Sequence, residues 1–414
     1  MDGFERFLCL ASYETGHDFL RQCAEMGVRV TLLTLDQHRD AAWPRESLEE
    51  LATMPAGLNR GQILNTVSWM ARSRRFDRVV ALNGEFLETA AQIREHMRVP
   101  GMGTTTAGCY RDKLAQRVIA RAFGYQVPRF CRVLNYDELR DYMARVPAPW
   151  LLRPRMGASA AIRIGDPEQL WRTLDNLGDA QSHYILEQIV EGDSFRVDSI
   201  VSDCEVKFLV VHETGTRTGE IAQAGTVHTM HTVDRNSRDA RELAAINRAL
   251  APSFGMVRGI THAHLIRSKV DGSYYFLEIG AGVRGAFPDE TYAGDTFPCD
   301  SFPGDSFMDN LVQAATGVSL WREWANLEIA DLRHTGYAVP DSYEGYAGSV
   351  LCASRGAGPN LEAFADPAIV TRFRGGKHAA LILRAASPER IRNLLGDYAA
   401  QLESELAVAT ALRQ

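Results

Sequence analysis

Residues 259–280 constrain the fold of this chain more than any other stretch. Gly259-Ile260-Thr261-His262-Ala263-His264-Leu265-Ile266-Arg267 is a period-two run, and Tyr274-Tyr275-Phe276-Leu277-Glu278-Ile279-Gly280 is rich in aromatic and β-branched residues. Between them lies Asp271-Gly272, a strong signal for a tight hairpin. One pair of antiparallel strands therefore carries His262, His264 and Glu278. A carboxylate near a strand end, followed by a Gly-rich stretch that holds Arg284, suits a metal ion and the phosphate it bridges.

The length of 414 residues, with a hydrophobic fraction of 45%, exceeds one ordinary domain and predicts two or three. Lys and Arg total 45 against 52 Asp and Glu, a net charge of −7 with no basic block, which argues against nucleic acid as a partner. The 7 cysteines are scattered and form no C-x-x-C pair, the usage of reduced thiols. No basic leader with a long apolar segment precedes the first strand, and no apolar run is long enough to cross a bilayer. The expectation is a cytoplasmic protein with no membrane partner.

From Phe7 to about Met97 short apolar runs alternate with helical periodicity: Phe7 to Ala11, a helix over His17 to Met26, Val28 to Leu35, a helix over Gln62 to Arg72, and Arg78 to Asn83. That order predicts a small parallel α/β domain. The turn after its first strand, Ala11-Ser12-Tyr13-Glu14-Thr15-Gly16, lacks G-x-G-x-x-G, which disfavours a dinucleotide fold. Pro100-Gly101-Met102-Gly103 marks a boundary. Thr104 to Thr106 offer hydroxyl caps to one helix running through Lys113 to about Phe123.

A compact α+β unit is expected next, with strands at Val127 to Val133, Pro149 to Arg155 and Ala160 to Ile164, and a helix from Asp137. Tyr184 to Val190, Phe195 to Val201 and Glu205 to His212 open an antiparallel block that also holds a helix over Arg238 to Leu250. The stretch from Pro288 to Phe307 repeats Asp-Thr/Ser-Phe-Pro at five-residue spacing and reads as a loop. It is either a surface insertion or a lid that lays Phe297, Phe302 or Phe307 over a substrate. Helices over Asn310 to Ala315 and Trp321 to Ala325, a strand from Ala379 to Leu383 and a helix from Pro388 to about Leu406 complete the reading.

Polyphosphate chemistry needs cations at two places and a metal to neutralise developing charge. Lys113 and Arg153 are the candidate cations, and their order relative to Glu187-Gln188-Ile189-Val190-Glu191-Gly192-Asp193 and the Glu278 hairpin is informative. Taken together, these segments resemble the ATP-grasp fold, closest to its stand-alone carboxylate–amine ligases, over most of the chain. The fold class implied is α/β and α+β: an N-terminal parallel α/β domain (1–103), then a two-lobed ATP-grasp fold with a small lobe and linker strand (104–190) and a large lobe with a C-terminal extension (191–414).

The resemblance implies ATP with Mg, or Mn, as cofactors. It places Lys113 and, in the position of a second Lys, Arg153 on phosphates, Glu187, Gln188 and Val190 in the adenine linker, and Glu278 with His264 on the metal; the ribose-binding acid would fall near Ser194, which leaves Glu191 or Asp193 as substitutes. Three positions depart from the family pattern. His264 replaces a metal-binding Glu, Gly280 stands where many members have Asn, and Gly282 occupies the place of a catalytic Arg, which leaves Arg284 as the displaced candidate. Imidazole suits manganese or zinc better than magnesium.

The implied activity is ATP-dependent amide formation between a small carboxylate and an amine through an acyl phosphate. An alternative is a degenerate relative that binds nucleotide or ligand without turnover. A third is an ATP-independent enzyme that reuses the cleft. His228 and His231 form a His-x-x-His pair that reads as a β segment or turn rather than a metal site. An exposed sheet edge favours a homodimer.

Overall fold

Four short strands begin the chain, and the two central ones are apolar on both faces because each face is covered. In the computed structural model, which describes residues 3–157, 161–215, 227–283, 307–340, 342, 345–353, 361–375 and 378–411, they are β1 (Arg6–Ala11) and, after α1 (His17–Glu25), β2 (Arg29–Leu35). Then come β3 (Glu50–Met54), α2 (Arg60–Met70), β4 (Arg78–Ala81) and α3 (Leu87–Met97). The order β3-β2-β1-β4 is parallel throughout. All of β1 is buried, as a strand covered on both faces requires. Strand β3 lacks an apolar run and escaped the sequence reading; it is a half-buried edge. One sheet face packs Leu8, Leu10 and Leu33 against α2 and α3, and the other packs Phe7, Cys9 and Leu32 against α1 and two distant tryptophans, Trp321 and Trp324.

The single helix expected from Thr104 to Phe123 is two: α4 (Thr104–Cys109) and α5 (Lys113–Ala122). The break is chemical. Asp112 turns its Oδ1 onto the backbone N–H of Leu114 at 2.9 Å, so it caps a new helix instead of continuing the old one. The expected Thr104 cap is also absent, since its hydroxyl donates to Glu95. Lys113 thereby becomes the first residue of α5.

Next follow β5 (Phe130–Arg132), α6 (Tyr136–Arg145), β6 (Trp150–Pro154), β7 (Ile162–Ile164), α7 (Pro167–Leu177) and β8 (Tyr184–Gln188), with antiparallel order β5-β8-β6-β7. Asn135 and Asp166 cap α6 and α7, and Pro167 sits in the first turn of α7, where its missing N–H costs nothing.

The largest sheet uses β9 (Gly192–Ser202), β10 (Glu205–Thr214) and β11 (Val227–Thr232), then, beyond α8 (Arg238–Ser253), β12 (Gly259–Ser268) and β13 (Tyr274–Ala281). Helices α9 (Phe307–Thr316) and α10 (Leu320–Leu332) precede β14 (Tyr346–Ala353), β15 (Ile369–Gly375), β16 (His378–Ala385) and α11 (Pro388–Ala411). Its order is β13-β12-β9-β10-β11-β14-β16-β15. The expected hairpin is β12–β13, antiparallel around Asp271-Gly272. Its back face carries Phe195, Val197, Ala263 and Phe276 against α8, while Ile200, Ile260 and Val210 on the front meet Trp321 and Trp324 of α10.

Phe307 corrects the lid expectation for that residue. It begins α9, is 4% exposed and packs against Phe373 with ring centroids 5.6 Å apart, so it belongs to a core and cannot swing over substrate. Arg284, Phe297 and Phe302 lie outside the described residues.

Candidate functional site

Strand register assembles the site. Glu278 pairs with His264, His264 with Arg196 and Arg196 with His212, so one row crosses four strands on one face of the sheet. The next row is Gly280, His262, Asp198 and Val210. Paired residues share a face, and so do residues two apart along a strand, so both rows look the same way. Every charged or imidazole member is buried. Arg196 is neutralised on its own strand by Asp198, with Nη2 to Oδ1 at 2.7 Å.

The two expected cations approach the Glu278 region from other elements. Arg153, on β6, donates Nη1 to Glu187 Oε2 at 3.0 Å and places Nη2 3.6 Å from Glu278 Oε2. Lys113, opening α5, donates Nζ to the carbonyl of Gly157 at 3.0 Å. Lys113, Gly157, Glu278 and Gly280 line one small cavity together with Tyr110 and Gln116. Three groups far apart in sequence thus converge.

Two residues that sequence reasoning missed hold this arrangement. Strand β13 is a sheet edge, whose open polar groups need partners. Gln116 supplies them as a clamp, donating Nε2 to Ile279 O at 2.8 Å and accepting from Ile279 N at 3.1 Å. Arg117, wholly buried, donates to Leu277 O and to both oxygens of Glu187. The available signal was their position: Gln116 and Arg117 stand three and four residues after Lys113, on the same helix face.

Burial opposes charge on Glu187, but the Arg117 and Arg153 guanidiniums outweigh it and hold its carboxyl below the usual range. The Glu187 side chain is therefore committed to an ion triad, leaving only its backbone to a linker role. Gln188 is half-buried, Val190 is buried beside Ile266 and Leu277, and Glu191 is exposed with its carbonyl accepting from Lys269 N at 2.9 Å. Asp193 is paired with Arg267.

The departures at Gly280 and Gly282 have steric causes. A Cβ on Gly280 would lie 2.1 Å from His262 Nε2, so the imidazole fills the space an Asn would need. Gly282 has φ +93°, a backbone region that favours glycine, and a Cβ there would meet the Trp324 ring at 3.6 Å. His264 Nε2 lies 4.0 Å from Glu278 Oε1, no more than the span across one small cation. His228 and His231 sit three apart on β11, hence on opposite faces, and cannot share a metal.

Buried histidines make the sheet sensitive to acid. Burial, then Arg196, pushes the pKa of His212 down to about 3, and burial pushes His228 and His231 down to about 4. Unfolded, each titrates near about 6.5. The unfolded chain therefore binds more protons below that value, and the stability present above it is lost as pH falls towards 4. Melting temperature should drop progressively between about pH 6.5 and pH 4, and His212→Gln should flatten that slope. A melting temperature constant across this window would show that these imidazoles are solvated.

A parallel α/β domain followed by two antiparallel sheets is the fold of the ATP-grasp enzymes. No protein-family model matches the chain. It is similar to the crystal structure of L-amino acid ligase from Bacillus licheniformis, with a TM-score of 0.72 and 17% identity over 97% of each chain. It also resembles the biotin carboxylase domain dimer of 2-oxoglutarate carboxylase from Hydrogenobacter thermophilus, in complex with MgADP, ADP and bicarbonate. That likeness has a TM-score of 0.66 and 14% identity, covering 95% of this chain and 88% of the other. Among curated sequences, the L-arginine-specific L-amino acid ligase of Bacillus subtilis is 20% identical over 201 residues, 47% of this chain and 48% of that protein. The chain thus spans about half the length of the curated relatives it matches. Among the described residues no helix is long and apolar enough to cross a membrane.

Proposed function

We propose that the chain is an ATP-dependent ligase that joins a small carboxylate to an amine through an acyl phosphate, with domains at 1–103, 104–190 and 191–414. The observation that carries this reading is the convergence of Lys113, Arg153 and Glu278, from α5, β6 and β13, on one buried locus of an ATP-grasp fold. An L-amino acid supplies both functional groups, and the L-amino acid ligases among the similar proteins support that substrate class.

In this reading Lys113 and Arg153 hold the phosphates of ATP. The backbone of Glu187 to Val190 meets the adenine, Glu191 reaches the ribose, and Arg284 offsets charge on the acyl intermediate. Glu278 and His264 fit a divalent cation: the carboxylate is a hard ligand, and magnesium takes one or two protein carboxylates with the rest of its shell from phosphates and water. The imidazole makes manganese a real alternative. Bound there, the cation would neutralise charge on the phosphoryl oxygens. A substrate carboxylate oxygen attacks the γ-phosphorus, and ADP leaves. The amine then adds to the acyl carbon, loses a proton and expels phosphate. The protein is read as cytoplasmic and homodimeric, acting on small molecules.

The test is ADP release from pairs of L-amino acids, run with magnesium and with manganese. At least one pair should give stoichiometric ADP and amide, and Glu278→Gln should lower that rate by about a hundredfold or more. ATP bound with no ADP from any pair would support a protein that binds without turnover.

A further inference from the structure

A second cavity, of about 390 Å³, lies beside the open edge of β4, where the N-terminal sheet meets α10 and the start of β12. That volume is typical of a small-molecule site. Leu87, Met102, Met256 and Ile260 give it apolar walls. Its rim carries a closed ionic network. Arg258 places Nε 3.1 Å from Glu328 Oε2 and Nη1 2.6 Å from Asp331 Oδ1, and Arg78 pairs with the same two acids.

Two arginines are thus matched by two carboxylates, and the third arginine lining the cavity is not. Arg94 is 7% exposed and uses Nε on Met102 O at 2.8 Å and Nη1 on Val79 O at 2.7 Å. It has no carboxylate in ion-pair contact among the described residues. Burial pushes its pKa down to about 10, against the longer-range attraction of Glu328 and Glu95. A buried charge held only by carbonyls is an incomplete pairing. Trp324 adds a rigid aromatic wall. It is 8% exposed and lines the same cavity. Trp321 stacks on it at 5.7 Å and Phe19 meets it edge-on at 5.4 Å, so the ring is fixed.

We propose that this cavity is a second small-molecule site that takes an organic monocarboxylate with an apolar body, Arg94 serving as counter-ion and Trp324 as part of the apolar wall. A monoanion matches the one arginine of the cavity without a carboxylate in contact, whereas a phosphate dianion would bring a second negative charge beside Glu328 and Asp331. The walls belong to both the N-terminal domain and the large sheet, so an occupant stabilises their junction by mass action. The site does not depend on the ligase reading.

Calorimetric titration and thermal shift of the full chain without nucleotide, using phenylacetate and hexanoate with phenylacetamide and hexanamide as uncharged counterparts, test the proposal. At least one acid should bind, at least tenfold tighter than its amide. Arg94→Gln should weaken that acid at least tenfold. A non-hydrolysable ATP analogue should leave the affinity unchanged. Failure of both acids to bind at millimolar concentration, equal binding of acid and amide, or displacement by the ATP analogue would each overturn it. The comparison of acid with amide uses the unaltered protein, so it decides the matter even if Arg94→Gln does not fold.

Discussion

Glu187→Ala should lower the unfolding free energy by about 3–5 kcal/mol, the cost of removing one partner from a buried ion cluster. Glu187 is 2% exposed, and its two oxygens receive Arg117 and Arg153, themselves 0% and 2% exposed. Without the carboxylate, two guanidiniums face one another with little solvent to screen them. Urea denaturation followed by tryptophan fluorescence would measure the loss. A companion variant separates stability from function. Replacing the whole triad with apolar side chains, Arg117→Met, Arg153→Met and Glu187→Leu together, should recover much of that stability. On the proposed reading it should not recover nucleotide affinity, because the cation assigned to the phosphates is gone. A loss below about 1 kcal/mol for Glu187→Ala would place the triad in solvent and remove the basis for a preorganised Arg153.

Gly280→Asn, which restores the residue common at that position in the family it resembles, should damage the protein rather than improve it. A Cβ there lies 2.1 Å from His262 Nε2, and His262 is 1% exposed with Nδ1 3.1 Å from Gly282 O, so the ring has nowhere to retreat. Overpacking of this kind costs about 1–3 kcal/mol, and more where backbone must shift. His262→Gly in the same chain empties that space. A double-mutant cycle should therefore show a favourable coupling of about 1–3 kcal/mol. The double variant also sets an amide oxygen next to Glu278, so its metal dependence should move towards magnesium. Additive single effects would mean that the two positions do not touch.

Much of the architecture was legible in the chain because it follows from local periodicity. The hairpin at Asp271-Gly272, the β–α alternation before Met97 and the helix ending the chain each reflect a repeat of two or 3.6 residues that holds without distant partners. Readings failed where one side chain overrode the pattern. Asp112 split a helix by capping, and β3 hid because an edge strand needs no apolar run. Phe307 looked like part of a Pro- and Gly-rich loop but starts a helix whose apolar face is buried.

The candidate site divides in the same way. Lys113, Arg153, His264 and Glu278 were singled out because the order of their segments resembles the ATP-grasp fold, and a proposed phosphate site needs cations and a hard ligand. Gln116 and Arg117 did not, because an amide and a guanidinium on a helix are ordinary until the open edge of β13 is placed beside them. The reason Gly280 and Gly282 are glycines was equally hidden, for His262 and Trp324 become their neighbours only through strand register and the packing of α10. Local chemistry therefore determined which elements form and which groups are available. Only the tertiary structure decided which charges are neutralised and which remain open, because burial and pairing depend on residues that meet across the whole length of the chain.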